Sequence, residues 1–335
     1  MYSAEFKNTR EAYLALIEKV MKDGVKKSPR GLETREITNV MIQCANPRER
    51  MVSFQHGGSH PIYPYVEGMW MLLGEDTHDR LTHYSKFPAQ FVNPSTHCMD
   101  GAYGPRIKPQ LPKMYDILKS DKDSRRAVMN IFDFDRDTNI HSFDTPCTIF
   151  YHFMINNDKL DMTVYLRSQD LIKGFPNDSC EFQWFQEILA GWLGIDVGTY
   201  THMFGSLHIY QPEFKIAQEL TQFSNANSLY SRIDPINMSL SHAEFASALT
   251  MLDKVESWSR CHIDKVARAG VSFFMDDAYR LASQKAVSVY GCLAESIIAY
   301  NLAKAGYNDE AYEMVKKPEC DIQWLLKDRM QDVGE

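Results

Sequence analysis

Between Thr145 and Tyr210 the chain carries, in order, four groups of residues whose types could do chemistry on a nucleotide. Cys147, in Thr145-Pro146-Cys147-Thr148, offers a thiol. Arg167 and Ser168 offer a guanidinium and a hydroxyl, and the run Gly174 to Asp178 ends in a carboxylate. Ser206, His208 and Tyr210 close the series. A pyrimidine ring is electron-poor at carbon 6, so a thiolate that adds there turns carbon 5 into a nucleophile toward a one-carbon electrophile. A nucleotide monophosphate is a dianion and needs bidentate, always-charged donors. A carboxylate accepts from the amino group of a cytosine edge, where uracil presents a carbonyl. One proton shared between Asp178 and ring nitrogen 3 would complete that pair and help carbon 6 accept the thiolate. Read alone, Asp178 would equally serve as a cap near the start of a helix.

The order of these blocks resembles the thymidylate synthase superfamily. Its core reads Pro-Cys, Arg-Ser-x-Asp, Gly-x-Pro-x-Asn and His-x-x-Gly-Asp-x-His-x-Tyr; here the blocks are Pro146-Cys147, Arg167-Ser168-Gln169-Asp170, Gly174 to Asp178, and His202 to Tyr210. Two departures stand out: Asp178 occupies the place of the base-reading Asn, and Ser206 that of the pterin-side Asp. Both are similar to the phage deoxycytidylate hydroxymethylase branch.

The resemblance implies further roles. Glu67, in Val66-Glu67-Gly68-Met69-Trp70, matches the acid/base that organises active-site water, and Tyr103 matches a Tyr-Gly beside the thiol. His208 and Tyr210 match the pair that binds the sugar 3′-hydroxyl, while His202 also reads as an ordinary core histidine. Arg30, in Pro29-Arg30-Gly31, matches the N-terminal phosphate loop, with Lys27 and Arg35 as substitutes. Arg125 and Arg126 match a double Arg that crosses a dimer interface, which implies a homodimer with shared sites; spacing alone would make them a solvated turn. The implied co-substrate is 5,10-methylenetetrahydrofolate. The segment 86–101 holds no Trp and the C-terminal tail is polar, so both water-excluding features of the reducing members are missing. That favours hydration over hydride transfer, hence 5-hydroxymethyl-dCMP as product. Alternatives are a CMP hydroxymethylase, a dCMP methyltransferase, and an inactive member serving as a scaffold.

The elements that must position these residues follow from pattern. Apolar residues at Tyr13, Leu16, Ile17 and Val20 predict a helix over 9–22, followed by a basic loop and a strand at 40–44. A second helix is expected over 65–73, ended by Gly74, and residues 87–110 should be mostly loop. Segments 127–132, 147–154 and 160–167 are β-branched and aromatic, with a turn at Asn156-Asn157-Asp158, which brings Cys147 and Arg167 to one edge. Residues 180–193 read as an amphipathic helix, and stretches 243–258 and 277–305 are helical. The expected fold is α+β: a thymidylate synthase-like mixed β-sheet with flanking helices over 1–225 and a helical C-terminal extension over 226–335, with 225–228 as a linker.

Composition bounds the rest. The 335 residues are 44% hydrophobic and 24% charged, with no apolar run near the length of about 18 that reads as a span, so a soluble cytoplasmic protein is expected. A net charge of −8 gives no bulk reason to bind nucleic acid or membrane; a free pyrimidine nucleotide is the better ligand. Seven scattered cysteines lack metal spacing and are expected to be reduced, with no metal bound.

Overall fold

The computed structural model describes residues 1–52, 54, 58–139, 142, 144–223, 229–231 and 233–332. Its strands are β1 (Tyr2–Phe6), β2 (Val25–Lys27), β3 (Thr34–Cys44), β4 (Val128–Asn130), β5 (Thr148–Asn156), β6 (Lys159–Asp170) and β7 (Asp196–Tyr210). The helices of the first two thirds are α1 (Thr9–Asp23), α2 (Tyr63–Leu73), α3 (Asp79–Tyr84), α4 (Gly104–Ile107), α5 (Leu111–Ser120), α6 (Phe134–Asp137), α7 (Phe175–Leu193) and α8 (Phe214–Leu220). The last third adds α9 (His242–Ala269), α10 (Val271–Tyr279), α11 (Gln284–Lys304), α12 (Asn308–Val315) and α13 (Asp321–Asp332).

The strands form one seven-stranded mixed sheet in the order β1-β3-β7-β6-β5-β4, with β2 also on β3. Two pairings are parallel, β1 with β3 and β6 with β7; the others are antiparallel. The expected α+β architecture is therefore present. The β5–β6 hairpin turns at Asn157 and Asp158, both in the left-handed region that Asn and Asp tolerate. Differences from expectation are local. The basic loop contains β2 because its residues pair with Thr34, Arg35 and Glu36, a tertiary signal that its polar sequence does not carry. Strands β1 and β7 and helices α3, α5, α6 and α8 have no counterpart among the sequence expectations; all but β7 are short and are held by the neighbours they pack on.

Helix α7 starts at Phe175 and is buried nearly all round, where one apolar stripe was expected. The reason is the C-terminal helices, which cover its outer side. Trp184 Nε1 donates to Tyr290 Oη at 3.2 Å, and Tyr290 Oη donates to the Met238 carbonyl at 2.9 Å. Several buried polar residues of α7 have partners: Gln183 is paired with Thr9, the Gln186 amide nitrogen with the Leu160 and Thr199 carbonyls, and Glu187 with Arg48 and Arg50. On the α2 side Gly68 lets the helices approach, since a Cβ there would meet the Trp184 ring at 2.8 Å.

Residues beyond 228 therefore dock on the sheet half. Apolar side chains of α9 and α11, among them Leu252, Val255, Leu293 and Ile297, belong to the same core as Tyr13, Phe182 and Leu207. Arg80 of α3 pairs with Glu256 and Asp253 of α9, each at 2.7 Å. Helix α11 is long and apolar enough to cross a bilayer, yet most of its apolar window is buried in this core. The linker expected at 225–228 lies outside the described residues. One expectation is corrected: Cys292 of α11 and Cys320, just before α13, form a disulfide, because the packing of those two helices brings the thiols face to face. The other five cysteines are free.

Candidate active site

A cavity of about 2230 Å³ opens where the C-terminal ends of β6 and β7 meet α2, the start of α7 and the loop before β5. Most of the residues singled out from sequence line it: Arg30, Glu67, Tyr103, Cys147, Arg167, Ser168, Asp178, Ser206, His208 and Tyr210, with Arg35 at its edge. Register explains the convergence. In the parallel β6–β7 pair Ser168 lies opposite Ser206 and Asp170 opposite His208, and β3 sets Thr34 against Tyr210 from the other side.

Cys147 stands immediately before β5, and its loop is clamped by Arg167, whose Nε donates to the Pro146 carbonyl and whose Nη2 donates to the Thr145 carbonyl, each at 3.0 Å. The Cys147 carbonyl accepts from the Arg167 amide at 2.9 Å. Enclosure pushes the thiol up; Arg167 and Arg30 oppose that, while Asp178 and Asp144 add to it. Tyr103 is pinned alongside: its hydroxyl donates to Thr148 Oγ1 and accepts from the Thr148 amide, both at 3.1 Å.

The floor of the cavity is acidic. Asp178 lies in the first turn of α7, and its Oδ2 accepts from Gln169 Nε2 at 2.8 Å instead of capping the helix. Gly174 is required for that contact, since a Cβ would stand 2.5 Å from Gln169 Nε2 and 3.2 Å from Asp178 Oδ2. Burial pushes the Asp178 carboxyl up to about 7, Gln169 partly offsets this, and Asp170 adds to it. Glu67 of α2 accepts from Tyr63 Oη at 2.9 Å. One turn beyond Asp178, Glu181 reaches Glu67, and burial together with mutual repulsion holds both acids well above the ordinary carboxylate range.

Cations and hydroxyls occupy the rim. Arg30 sits in a turn at φ 55°, an uncommon conformation for a side chain larger than Asn, and faces the cavity. Of its substitutes, Arg35 also lines the cavity while its guanidinium donates to the Met21 carbonyl and lies over the Phe214 ring, and Lys27 does not line it. Ser206 Oγ lies 3.4 Å from His208 Nδ1, and burial depresses His208 although Asp170 and Glu36 pull it up. His202 is a core residue, fully buried, with Nδ1 at 2.9 Å from Tyr200 Oη. Cys180 is likewise buried, against Met51. Arg125 and Arg126 lie outside the cavity, exposed just before the edge strand β4.

Among the lining residues given no role from sequence are Glu181, Gln169, His60 and Arg329. Glu181 follows Asp178 by three positions on one helix face, and Gln169 sits inside the Arg-Ser block, so both had a local signal. His60 and Arg329 had none. His60 Nδ1 accepts from the Ile62 and Tyr63 amides at 3.1 and 2.8 Å and its ring faces Tyr300 of α11. Arg329 of α13 donates to the Ser59 carbonyl at 2.6 Å, so the C-terminal helices form part of the cavity wall.

The mixed sheet thus gathers a thiol, a clamped Arg and a recessed carboxyl around one deep cavity. The sequence model of thymidylate synthase matches residues 11–248, and the chain belongs to that family. It is similar to the deoxyuridylate hydroxymethyltransferase of Bacillus phage SP01, at 31% identity over 247 residues, covering 68% of this chain and 64% of that protein. The deoxyuridylate hydroxymethyltransferase of Pseudomonas phage M6 is 28% identical over 222 residues, 61% and 60% of the two chains. A Methanothermobacter marburgensis protein named "Putative thymidylate synthase" is 29% identical over 226 residues, 65% of this chain and 97% of that one. The chain thus spans under two thirds of the length of the two phage relatives.

Proposed function

We propose that the protein is a deoxycytidylate 5-hydroxymethylase. The observation that carries this reading is Asp178: a carboxyl oriented by Gln169 in the same cavity as Cys147, at the place where the family motif has Asn. Cys147 adds to carbon 6 of the pyrimidine, and Asp178 meets the amino edge and ring nitrogen 3. Arg167, Ser168 and Arg30 hold the phosphate, with Arg125 and Arg126 of a partner subunit completing it in a homodimer. His208 and Tyr210 hold the sugar, and Tyr103 keeps the Cys147 loop in register. Glu67 receives a proton from the water that enters. Residues 1–225 are the catalytic domain in this reading, and the helices after it buttress α7.

The cavity exceeds by about twofold the upper end of a single small-ligand site, so it has room for a second planar ligand beside the nucleotide. Methylenetetrahydrofolate, the family's co-substrate, would supply the one-carbon unit, with Ser206 on its side of the site.

A second reading, dUMP as substrate, is favoured by the names of the two phage relatives. It is also compatible with a protonated Asp178, which offers one donor and one acceptor as an amide does. Incubation of the purified protein with dCMP, dUMP or CMP plus methylenetetrahydrofolate separates the possibilities by product mass. The expected result is dCMP converted to a product heavier by one CH2O unit. Turnover of dUMP alone would overturn the cytosine assignment, and a product heavier by CH2 would overturn the hydration step.

A further inference from the structure

Glu181 has no role in any of the chemistry assigned so far. It is 2% exposed, lines the cavity, and one of its oxygens, Oε2, finds no hydrogen-bond partner. Its carboxyl meets that of Glu67, and two carboxyls can hydrogen-bond only when one carries a proton. The groups around the pair come from every packed element: Tyr63 of α2 donates to Glu67 at 2.9 Å, Asp178 stands one turn back on α7, and Tyr151 of β5 and Tyr200 of β7 approach from the sheet. Among these neighbours there is no cation to neutralise a second negative charge. An unpaired buried carboxylate oxygen costs free energy in proportion to its desolvation, so its retention in a functional cavity calls for a use.

We propose that Glu181 is the positioning and proton-sharing partner of Glu67, the two carboxyls holding one proton between them so that the pair presents one acceptor and one donor to the attacking water. The assignment rests on the hydroxymethylase reading above. In that step the base is bonded to Cys147 through carbon 6 and carries an exocyclic methylene at carbon 5. The water oxygen bonds to the methylene carbon, the carbon–carbon π pair moves into the ring, and the water proton passes to the ionised member of the pair. The ring pair then re-forms the carbon 5–carbon 6 double bond as the sulfur leaves as thiolate. Atoms balance as methylene plus water giving hydroxymethyl, with no oxidant or reductant. Because covalent addition and loss of the carbon 5 proton precede this step, Glu181 should matter after them.

The test is Glu181→Gln with carbon 5-tritiated dCMP and, in parallel, dUMP. The expected result is tritium release within about threefold of the unmodified enzyme and hydroxymethyl product slowed by about 100-fold or more, within the range of general acid–base contributions. The alkaline limb of the product-forming kcat profile, set by loss of the shared proton, should vanish in the variant. Glu67→Gln with Glu181→Gln should cost no more than Glu67→Gln alone, as members of one unit do. Equal losses in tritium release and product would assign Glu181 a merely structural role and overturn the proposal, as would an unchanged product rate. If the variant does not fold, infrared titration of the unmodified protein decides: a buried carboxylic-acid band at neutral pH that disappears on alkalinisation is expected, and its absence overturns the pair. Failure of the unmodified enzyme to release tritium from either base would instead overturn the underlying reading.

Discussion

The rim and the floor of the cavity handle charge in opposite ways. Arg30 and Arg167 are exposed, and a guanidinium there stays charged at any pH a protein meets. Glu67, Asp178 and Glu181 are recessed in the floor, and burial favours their neutral forms. An exposed, permanently charged rim suits a dianion that must be caught and released; a floor of protonatable acids suits a base whose own protons must be placed. The loop of Cys147 joins the two, since Arg167 holds it by two carbonyls while Asp178 faces the thiol. Rim substitutions should therefore act on KM and on salt dependence, and floor substitutions on kcat, base preference and pH.

The largest effect should come at the junction. Cys147→Ala is expected to lower turnover by about 10⁴-fold or more with nucleotide binding retained, because a removed nucleophile leaves only binding and electrostatic assistance. Single-turnover kinetics with an equilibrium binding assay would check this. Next, Asp178→Asn should move preference toward uracil by about 100-fold in the ratio of kcat/KM values, the scale of a mispaired buried donor and acceptor.

The same substitution sharpens the contrast through stability. Asp178 has a folded value of about 7 against an ordinary 3.8, so the folded state holds its proton more tightly than the unfolded chain. Its contribution is fully present below about pH 4 and is lost as pH rises through about 7, by roughly 4 kcal/mol at most. Melting temperatures measured across that window should fall with pH more steeply for the unmodified protein than for Asp178→Asn. The smallest effect belongs to the rim: Arg30→Ala should raise KM about 10-fold with little change in kcat, and the difference should shrink as salt screens the exposed charge. A kcat loss at Arg30 equal to that at Asp178 would break the division between rim and floor.

The rim and the chemistry-bearing strand ends could be read from sequence because they are local. Pro146-Cys147, Arg167-Ser168 and Gly205 to Tyr210 are short blocks, and the pairing of β5, β6 and β7 carries them to one place. The α+β class came with the family resemblance, and the helices expected over 9–22 and 65–73 from local pattern and the closing Gly74 stand at Thr9–Asp23 and Tyr63–Leu73. What could not be read depends on distant partners. The polar side chains of α7 look like a solvent face in sequence, and only Arg48, Arg50, Thr9 and the C-terminal helices reveal them as buried. The disulfide between Cys292 and Cys320, and the approach of Tyr300 and Arg329 to His60 and Ser59, likewise arise from the docking of helices with no local mark.

The central claim is that the sulfur of Cys147 forms a transient bond to carbon 6 of a pyrimidine held by this cavity. Loss of tritium from carbon 5 to water, followed for the unmodified enzyme and for Cys147→Ala in the presence of methylenetetrahydrofolate, tests it most directly. The account expects release from the unmodified enzyme and none above background from the variant; release at the same rate from both would contradict it.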